Sequence, residues 1–115
     1  MSRSAIRRRS VSKAATATDK HILHLHRAMA GKLLAEPWRI TDIRQTLERR
    51  YQAGQLKHSG YIHWNSILDC IDQPELFLSA LLDNGERMCK LRRRTVLVGI
   101  LTEPERLALL SETPE

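Results

Sequence analysis

The stretch that most constrains the fold runs from Glu86 to Leu101, ERMCKLRRRTVLVGIL, where a cluster of cations passes directly into the most apolar segment of the chain. The arginines at 92–94 are expected to reach water, because charged side chains are rarely buried. Residues 96–101 have almost no polar face, so we expect them to be buried on both sides. One end of this stretch therefore belongs to the core and the other to the surface.

The spacing of apolar residues predicts a mainly α-helical protein that folds as a single domain over residues 19–112. The clearest pattern places Tyr61, Trp64, Leu68 and Ile71 at intervals of three, four and three, which aligns them on one helix face. Aromatic residues make up only 4% of the 115 residues, so we expect a largely aliphatic core of packed helices. A chain of this length can bury such a core without disulfides or metals. We predict a small bundle of about five helices.

Proline, glycine and a capping pattern mark the expected helix boundaries. Pro37 is expected to end the first helix and open the second, and Gly54 to end the second. Pro74 is typical of the first turn of a helix. Thr102 and Glu105 match the spacing of a capping box, which predicts a last helix after Thr102.

Residues 95–101 alternate β-branched residues with leucine and glycine, and their periodicity does not decide their conformation. The β-branched residues favour one short extended segment. The apolar character also fits a buried final helical turn. Both alternatives stay open, and Gly99 marks either a bend or the close approach of another backbone.

The net charge of +6 is concentrated at the N-terminus, where residues 1–20 carry six basic groups and one acid. The rest of the chain carries 13 basic groups and 12 acids, so the remaining chain is nearly neutral. Residues 1–18 contain few large apolar side chains and cannot offset the entropy lost on ordering. We therefore expect a disordered basic arm at 1–18.

No motif in the chain points to catalysis, a cofactor or a metal. It has no nucleophile elbow, no glycine-rich phosphate loop and no paired carboxylates. His21 and His24 have the spacing of a metal-binding pair on a helix, but no third ligand follows at a recognised spacing. Cys70 and Cys89 are expected to be reduced thiols. We predict that the protein is not an enzyme and that its histidines are exposed or cap helices.

The placement of charge favours a small regulatory or accessory protein that binds DNA, RNA or a ribonucleoprotein through phosphate contacts. Arginine presents a rigid fork of donors that fits phosphate and stays charged at physiological pH. The expected contact residues are Arg7, Arg8, Arg9, Arg87, Lys90, Arg92, Arg93 and Arg94. The opposing interpretation is a solvated helix face that pairs with the four acids of residues 95–115.

The hypothesis that residues 40–71 form a helix-turn-helix motif that reads DNA sequence has less support than phosphate contact. The connector at 52–60 is longer than the three or four residues of that motif, and the helix at 61–71 contains no arginine or lysine. An ordinary helical hairpin is favoured.

The alternative function is a protein-interaction module that binds a partner or a second copy of itself. Its expected interface is apolar and includes Trp64, Phe77 and residues 96–101, with the arm acting only as a tether. Salt dependence separates the two functions, because phosphate contacts weaken steeply as salt rises.

The chain has no segment with the pattern of a signal peptide or a membrane span. The arginines at 7–9 are followed by SVSKAATATDK, and no stretch approaches the ~18 apolar residues of a spanning helix. We therefore expect a soluble cytoplasmic protein with no membrane partner. The composition of the first 18 residues also resembles an organelle transit peptide, which is the second interpretation.

Overall fold

The computed structural model describes residues 17–111, and within this range the chain forms helices and no β-strand. The six α-helices are α1 (Ala17–Ala35), α2 (Ile40–Gln52), α3 (His58–Asp69), α4 (Pro74–Leu81), α5 (Glu86–Arg93) and α6 (Glu103–Leu110). Short 3₁₀ helices at Pro37–Arg39 and Cys70–Asp72 join α1 to α2 and α3 to α4. The predicted helical architecture is confirmed, with one helix more than the predicted number.

The helix boundaries follow the local signals in the sequence. α1 ends just before Pro37, and Gly54, with φ of +76°, follows α2. The N–H of Gly54 donates to Tyr51 O at 3.1 Å and that of Gln55 to Arg50 O at 2.9 Å, which is the Schellman pattern of a helix end. The capping box predicted for the last helix is present at the start of α6.

The core lies around α1, which packs against α4, α5 and α6, while α2 pairs with α3. The largest buried side chains are contributed by every helix except α6 and by the segment after α5. They include Leu33, Leu47, Trp64, Phe77, Leu81, Met88 and Leu97. The core is thus mainly aliphatic around two aromatic rings.

Residues 95–101 form a series of turns rather than a strand or a helix, so neither expected conformation is present. Val96, Leu97 and Ile100 are buried, but Val98 is 49% exposed, so burial on both sides is wrong at that position. Gly99 has φ of +77°, and a Cβ built on it would meet nothing within 4 Å. Gly99 therefore allows a left-handed bend rather than a close backbone approach.

The predicted arm lies largely outside the described residues, and so do Arg7, Arg8 and Arg9. Ala17 and Thr18, which the sequence assigns to the arm, form the start of α1. Within the described range, none of the helices combines the length and the apolarity that crossing a membrane requires.

Candidate functional site

A cleft of about 470 Å³ opens between the α2–α3 connector, the start of α3 and α5. Its exposed charged residues are Lys57, Arg87, Lys90 and Arg94, and no acidic side chain lines it. We call these four residues the rim and the whole depression the cationic cleft. Its apolar lining consists of Leu56 and Leu91, which are half-buried, and Trp64, which is fully buried. We call these three residues the floor, of which only the two leucines are partly exposed.

The α2–α3 connector brings Lys57 to the cleft. Gly54 reverses the chain after α2, and Lys57 then adopts an extended conformation immediately before α3. Ser59 and Gly60, in the first turn of α3, also line the cleft. No side chain caps this helix start, and its positive dipole end adds to the charge of the rim.

The other side of the cleft is one face of α5 and the residue that follows it. Arg87, Lys90, Leu91 and Arg94 are spaced three or four positions apart, so they share a face of the helix. Residues 92 and 93 lie on other faces. Three of the predicted phosphate contacts, Arg87, Lys90 and Arg94, are therefore brought together with a fourth cation, Lys57, that the sequence analysis did not select.

Arg87 is fixed by two contacts with α3. Its Nε donates to Nδ1 of His63 at 2.9 Å, and Nη2 donates to the carbonyl of Ser59 at 3.4 Å. Partial burial, and then the positive charge of Arg87, lower the pKa of His63. The imidazole is thus kept as a neutral acceptor that orients the guanidinium at the rim.

Acidic side chains of residues 17–111 neutralise the rim only weakly. Neither the ammonium group of Lys57 nor the guanidinium group of Arg94 makes an ion pair or a hydrogen bond with residues 17–111. Only the backbone carbonyl of Arg94 is engaged, by Nη1 of Arg50. Lys90 lies 3.7 Å from Glu86 in an exposed pair, which contributes little. By contrast, ion pairs of 2.7–2.9 Å neutralise other cations, among them Lys32 with Glu105, Arg44 with Asp69 and Arg93 with Asp19.

Arg92 is buried, so the prediction that it reaches water is wrong. It is 2% exposed, and its Nη1 donates to the carbonyls of Leu81 and Asp83, each at 2.8 Å. Nη2 also lies 3.5 Å from the sulfur of Cys89. Arg92 thus satisfies carbonyls that the end of α4 leaves without partners, and it is not placed to contact phosphate.

Arg93 is committed to an ion pair within the fold. Its Nε and Nη2 bind the two carboxylate oxygens of Asp19, which is itself buried. This contact joins α5 to the first turns of α1 and neutralises the guanidinium. The acids of α6 do not reach residues 92–94, because Glu105 pairs with Lys32 and Glu103 with Arg106.

Trp64 and Phe77 are completely buried, so the prediction that they form an exposed partner interface is wrong. The helical spacing that identified them places their rings in the core. Trp64 also lines the cationic cleft, and its buried Nε1 has no hydrogen-bond acceptor among the described residues. A buried donor left without an acceptor costs about 1–3 kcal/mol.

A second depression, of about 330 Å³, lies between α1 and the turns at 95–101 and contains a buried His26. The Nδ1 of His26 donates to the carbonyl of Ile22 at 2.7 Å, and Nε2 accepts from the hydroxyl of Thr95 at 2.8 Å. The Thr95 oxygen in turn accepts from the N–H of Leu97 at 3.1 Å. Burial lowers the pKa of His26 to about 4. The expectation that the histidines are exposed or cap helices is wrong for His26, which lies one position after Leu25 on the buried face of α1.

Comparison of the chain with known protein families, curated proteins and solved structures found no match. Within residues 17–111, no group of three or more histidine, cysteine, aspartate or glutamate side chains is placed to hold a metal ion. The cationic cleft is the arrangement in this range that most clearly suits a ligand, and its rim suits an anion.

Proposed function

We propose that this chain is a small non-enzymatic accessory protein that binds nucleic acid, free or within a ribonucleoprotein, mainly through phosphate contacts at the cationic cleft. One observation carries the proposal: Lys57, Arg87, Lys90 and Arg94 line a single cleft that contains no acidic side chain. Four cations in one place favour a ligand with several negative charges.

The rim suits phosphate in particular. The guanidinium of Arg94 can donate two parallel hydrogen bonds to one phosphate, and Arg87, whose Nε is held by His63, can donate from Nη1. Lys57 and Lys90 act as point charges. The uncapped start of α3 adds backbone N–H donors beside them. Each phosphate neutralised in this way releases counterions, which supplies a large part of the affinity for nucleic acid.

The structure changes the set of residues in the proposal. Arg92 leaves it because it is buried, and Arg93 leaves it because the carboxylate of Asp19 neutralises it. Lys57 joins it. Arg7, Arg8 and Arg9 stay as additional phosphate contacts from the N-terminal segment.

The alternative function, a protein-interaction module with an apolar interface, is not favoured, because the residues expected to form that interface are mostly buried. Trp64 and Phe77 are buried, as are most apolar residues of the 96–101 segment. The large exposed apolar side chains of the described residues lie each on a different element or turn segment; they are Trp38, Ile62, Leu76, Val98 and Leu107. Single exposed apolar residues are normal on a monomeric surface and do not by themselves indicate an interface.

The test is the salt dependence of binding to mixed DNA and RNA oligonucleotides, measured with the full-length chain. In the double variant Lys57→Gln, Lys90→Gln, the slope of log affinity against log salt is expected to fall by about 1.4 on a single strand and about 1.8 on duplex DNA. The matched control, Lys20→Gln with Arg27→Gln, removes the same charge from the exposed face of α1. Equal losses in both variants, or no binding at low salt, would overturn the proposal.

A further inference from the structure

The cationic cleft combines a charged rim with an apolar floor. The rim side chains are exposed, while the half-buried Leu56 and Leu91 present hydrocarbon to the opening and Trp64 lies buried behind them. A partner that offers only phosphates and sugars would contact the rim and leave this floor in water. The floor is explained better by a ligand that carries an apolar surface next to an anionic group.

An unpaired nucleotide has this combination. Its phosphate is anionic, and the face of its base is flat and weakly hydrated, so that it packs well against apolar and aromatic side chains. We therefore propose that the cleft takes one unpaired nucleotide, with the base on the floor and the phosphate at the rim, so that the partner is single-stranded nucleic acid. This inference rests on the proposed function and restricts the class of partner from nucleic acid in general to single strands.

The size of the cleft supports a single nucleotide rather than a duplex. A volume of about 470 Å³ is in the range of sites for small organic molecules, ~300–1,000 Å³. The bases of a duplex are stacked and paired, and their faces reach such a site only if a nucleotide is extruded at an energetic cost. Duplex DNA or RNA would therefore bind to the rim alone.

Trp64 is a second reason to place a base at the floor. Trp64 is one of the residues that line the cleft, and its buried Nε1 has no acceptor among the described residues. Bases carry carbonyl oxygens and ring nitrogens that accept hydrogen bonds, whereas a sugar–phosphate backbone held at the rim keeps its acceptors near the surface. A base on the floor is therefore the part of a nucleotide that brings acceptors nearest to Trp64.

The first test uses Trp64 as an internal reporter. Trp38, the only other tryptophan, is 69% exposed, so Trp38→Phe leaves the core unchanged and Trp64 as the sole source of tryptophan fluorescence. Titration of this full-length variant with a single-stranded oligonucleotide, as DNA and as RNA, is expected to change the Trp64 emission. A blunt duplex of the same sequence is expected to leave the emission unchanged at equal saturation.

The second test changes the floor without changing the charge. Leu56→Gln is expected to lower single-strand affinity by about tenfold, with an unchanged salt slope and unchanged duplex affinity. The control, Leu107→Gln, makes the same exchange at an exposed position on α6 and is expected to leave both affinities unchanged.

The two proposals fail in different ways. If single strands and duplexes bind equally through Lys57 and Lys90, and Leu56→Gln has no effect, the single-strand inference is wrong and the proposed function stands. If no oligonucleotide binding depends on Lys57 and Lys90, the proposed function itself is wrong. A change in Trp64 emission with single strands alone, together with the loss in Leu56→Gln, supports both.

Discussion

Arg93 donates two parallel hydrogen bonds to Asp19, from Nε to Oδ1 at 2.8 Å and from Nη2 to Oδ2 at 2.7 Å, across 74 positions of the sequence. Because Arg93 is paired in this way, its role differs from those of the arginines on either side of it. Arg92 is buried against backbone carbonyls and Arg93 is held by a carboxylate. Arg94 lies at the rim, and its guanidinium has no partner among residues 17–111. Successive residues on a helix point about 100° apart, so adjacent charges meet different surroundings.

The Arg93–Asp19 pair is expected to stabilise the fold rather than bind a ligand. Asp19→Asn keeps the shape of the side chain but removes its charge, so the free energy of unfolding should fall by about 1–2 kcal/mol in urea denaturation. In a double-mutant cycle with Arg93→Gln the two losses should couple, and neither variant should alter the salt slope of oligonucleotide binding. If the two losses of unfolding free energy were simply additive, the interaction between Arg93 and Asp19 would contribute nothing to stability.

Substitution by glutamine is expected to affect stability at Arg92 and oligonucleotide binding at Arg94. Arg92→Gln leaves buried carbonyls without donors, so it should destabilise the protein by about 2–4 kcal/mol in urea unfolding. Arg94→Gln, at an exposed position, should change stability by less than about 0.5 kcal/mol but weaken oligonucleotide binding. Equal stabilities of the two variants would contradict the burial of Arg92.

Stability is expected to fall in mildly acidic solution because of His26. Its pKa is about 4 in the folded protein, whereas that of an unfolded histidine is about 6.5, so the unfolded chain binds the proton more readily. The stabilisation is complete above about pH 6.5 and is lost as pH falls toward about 4, by about 3 kcal/mol in total. Urea unfolding at a series of pH values measures this loss.

The control for this pH dependence is another histidine of α1. His26→Gln removes the histidine with the largest pKa shift and should reduce the change in stability between pH 6.5 and 4, leaving the smaller contribution of His63. His21→Gln, whose imidazole makes an exposed hydrogen bond to the Ala17 carbonyl, should keep the change. If the pH dependence of stability were reduced in His21→Gln and not in His26→Gln, the attribution of this dependence to His26 would be wrong.

Two glycines are expected to respond to alanine with opposite signs. Gly31 lies in the interior of α1 with open space around it, so Gly31→Ala should raise the free energy of unfolding by roughly 1 kcal/mol. Gly54 has φ of +76°, which an alanine adopts only with strain, so Gly54→Ala should lower that free energy by about 1 kcal/mol. Thermal unfolding of both variants checks the two signs, and a stabilising Gly54→Ala would contradict the helix end described for α2.

The sequence predicted the helices well because their boundaries depend on local chemistry. Pro37, Gly54, Pro74 and the capping box at the start of α6 act over one turn of helix and need no tertiary information. Residues 95–101 lacked such a signal, since their apolar run fitted a strand and a buried helical turn equally. The turns that form instead depend on Gly99 and on how Val96 and Leu97 enter the core.

The partners of charged side chains could not be read from the sequence, because they are set by tertiary packing. The i, i+4 spacing predicts a pair between Arg44 and Glu48, yet Arg44 binds Asn65 and Asp69 on α3. Glu48 instead accepts a hydrogen bond from the hydroxyl of Tyr61 at 2.6 Å. Packing of α2 on α3 therefore overrides a local pair worth only a few tenths of a kcal/mol.

The candidate site was predictable in part. Arg87, Lys90 and Arg94 recur at helical spacing, so their common face could be inferred from the sequence. Lys57 could not be added to them, because it lies 30 positions before Arg87 and reaches the cleft only through the turn after α2. No local pattern distinguishes it from the other exposed lysines.

The most direct test of the cationic cleft is an NMR titration of the full-length protein with a single-stranded oligonucleotide, followed through the arginine Nε–Hε signals. We predict that the signals of Arg87 and Arg94, which line the cleft, shift on binding. Those of Arg92, which is buried, and Arg93, which is paired with Asp19, are expected to stay in place. Shifts at Arg92 or Arg93 without shifts at Arg87 and Arg94, or no shift in any of the four, would contradict the account.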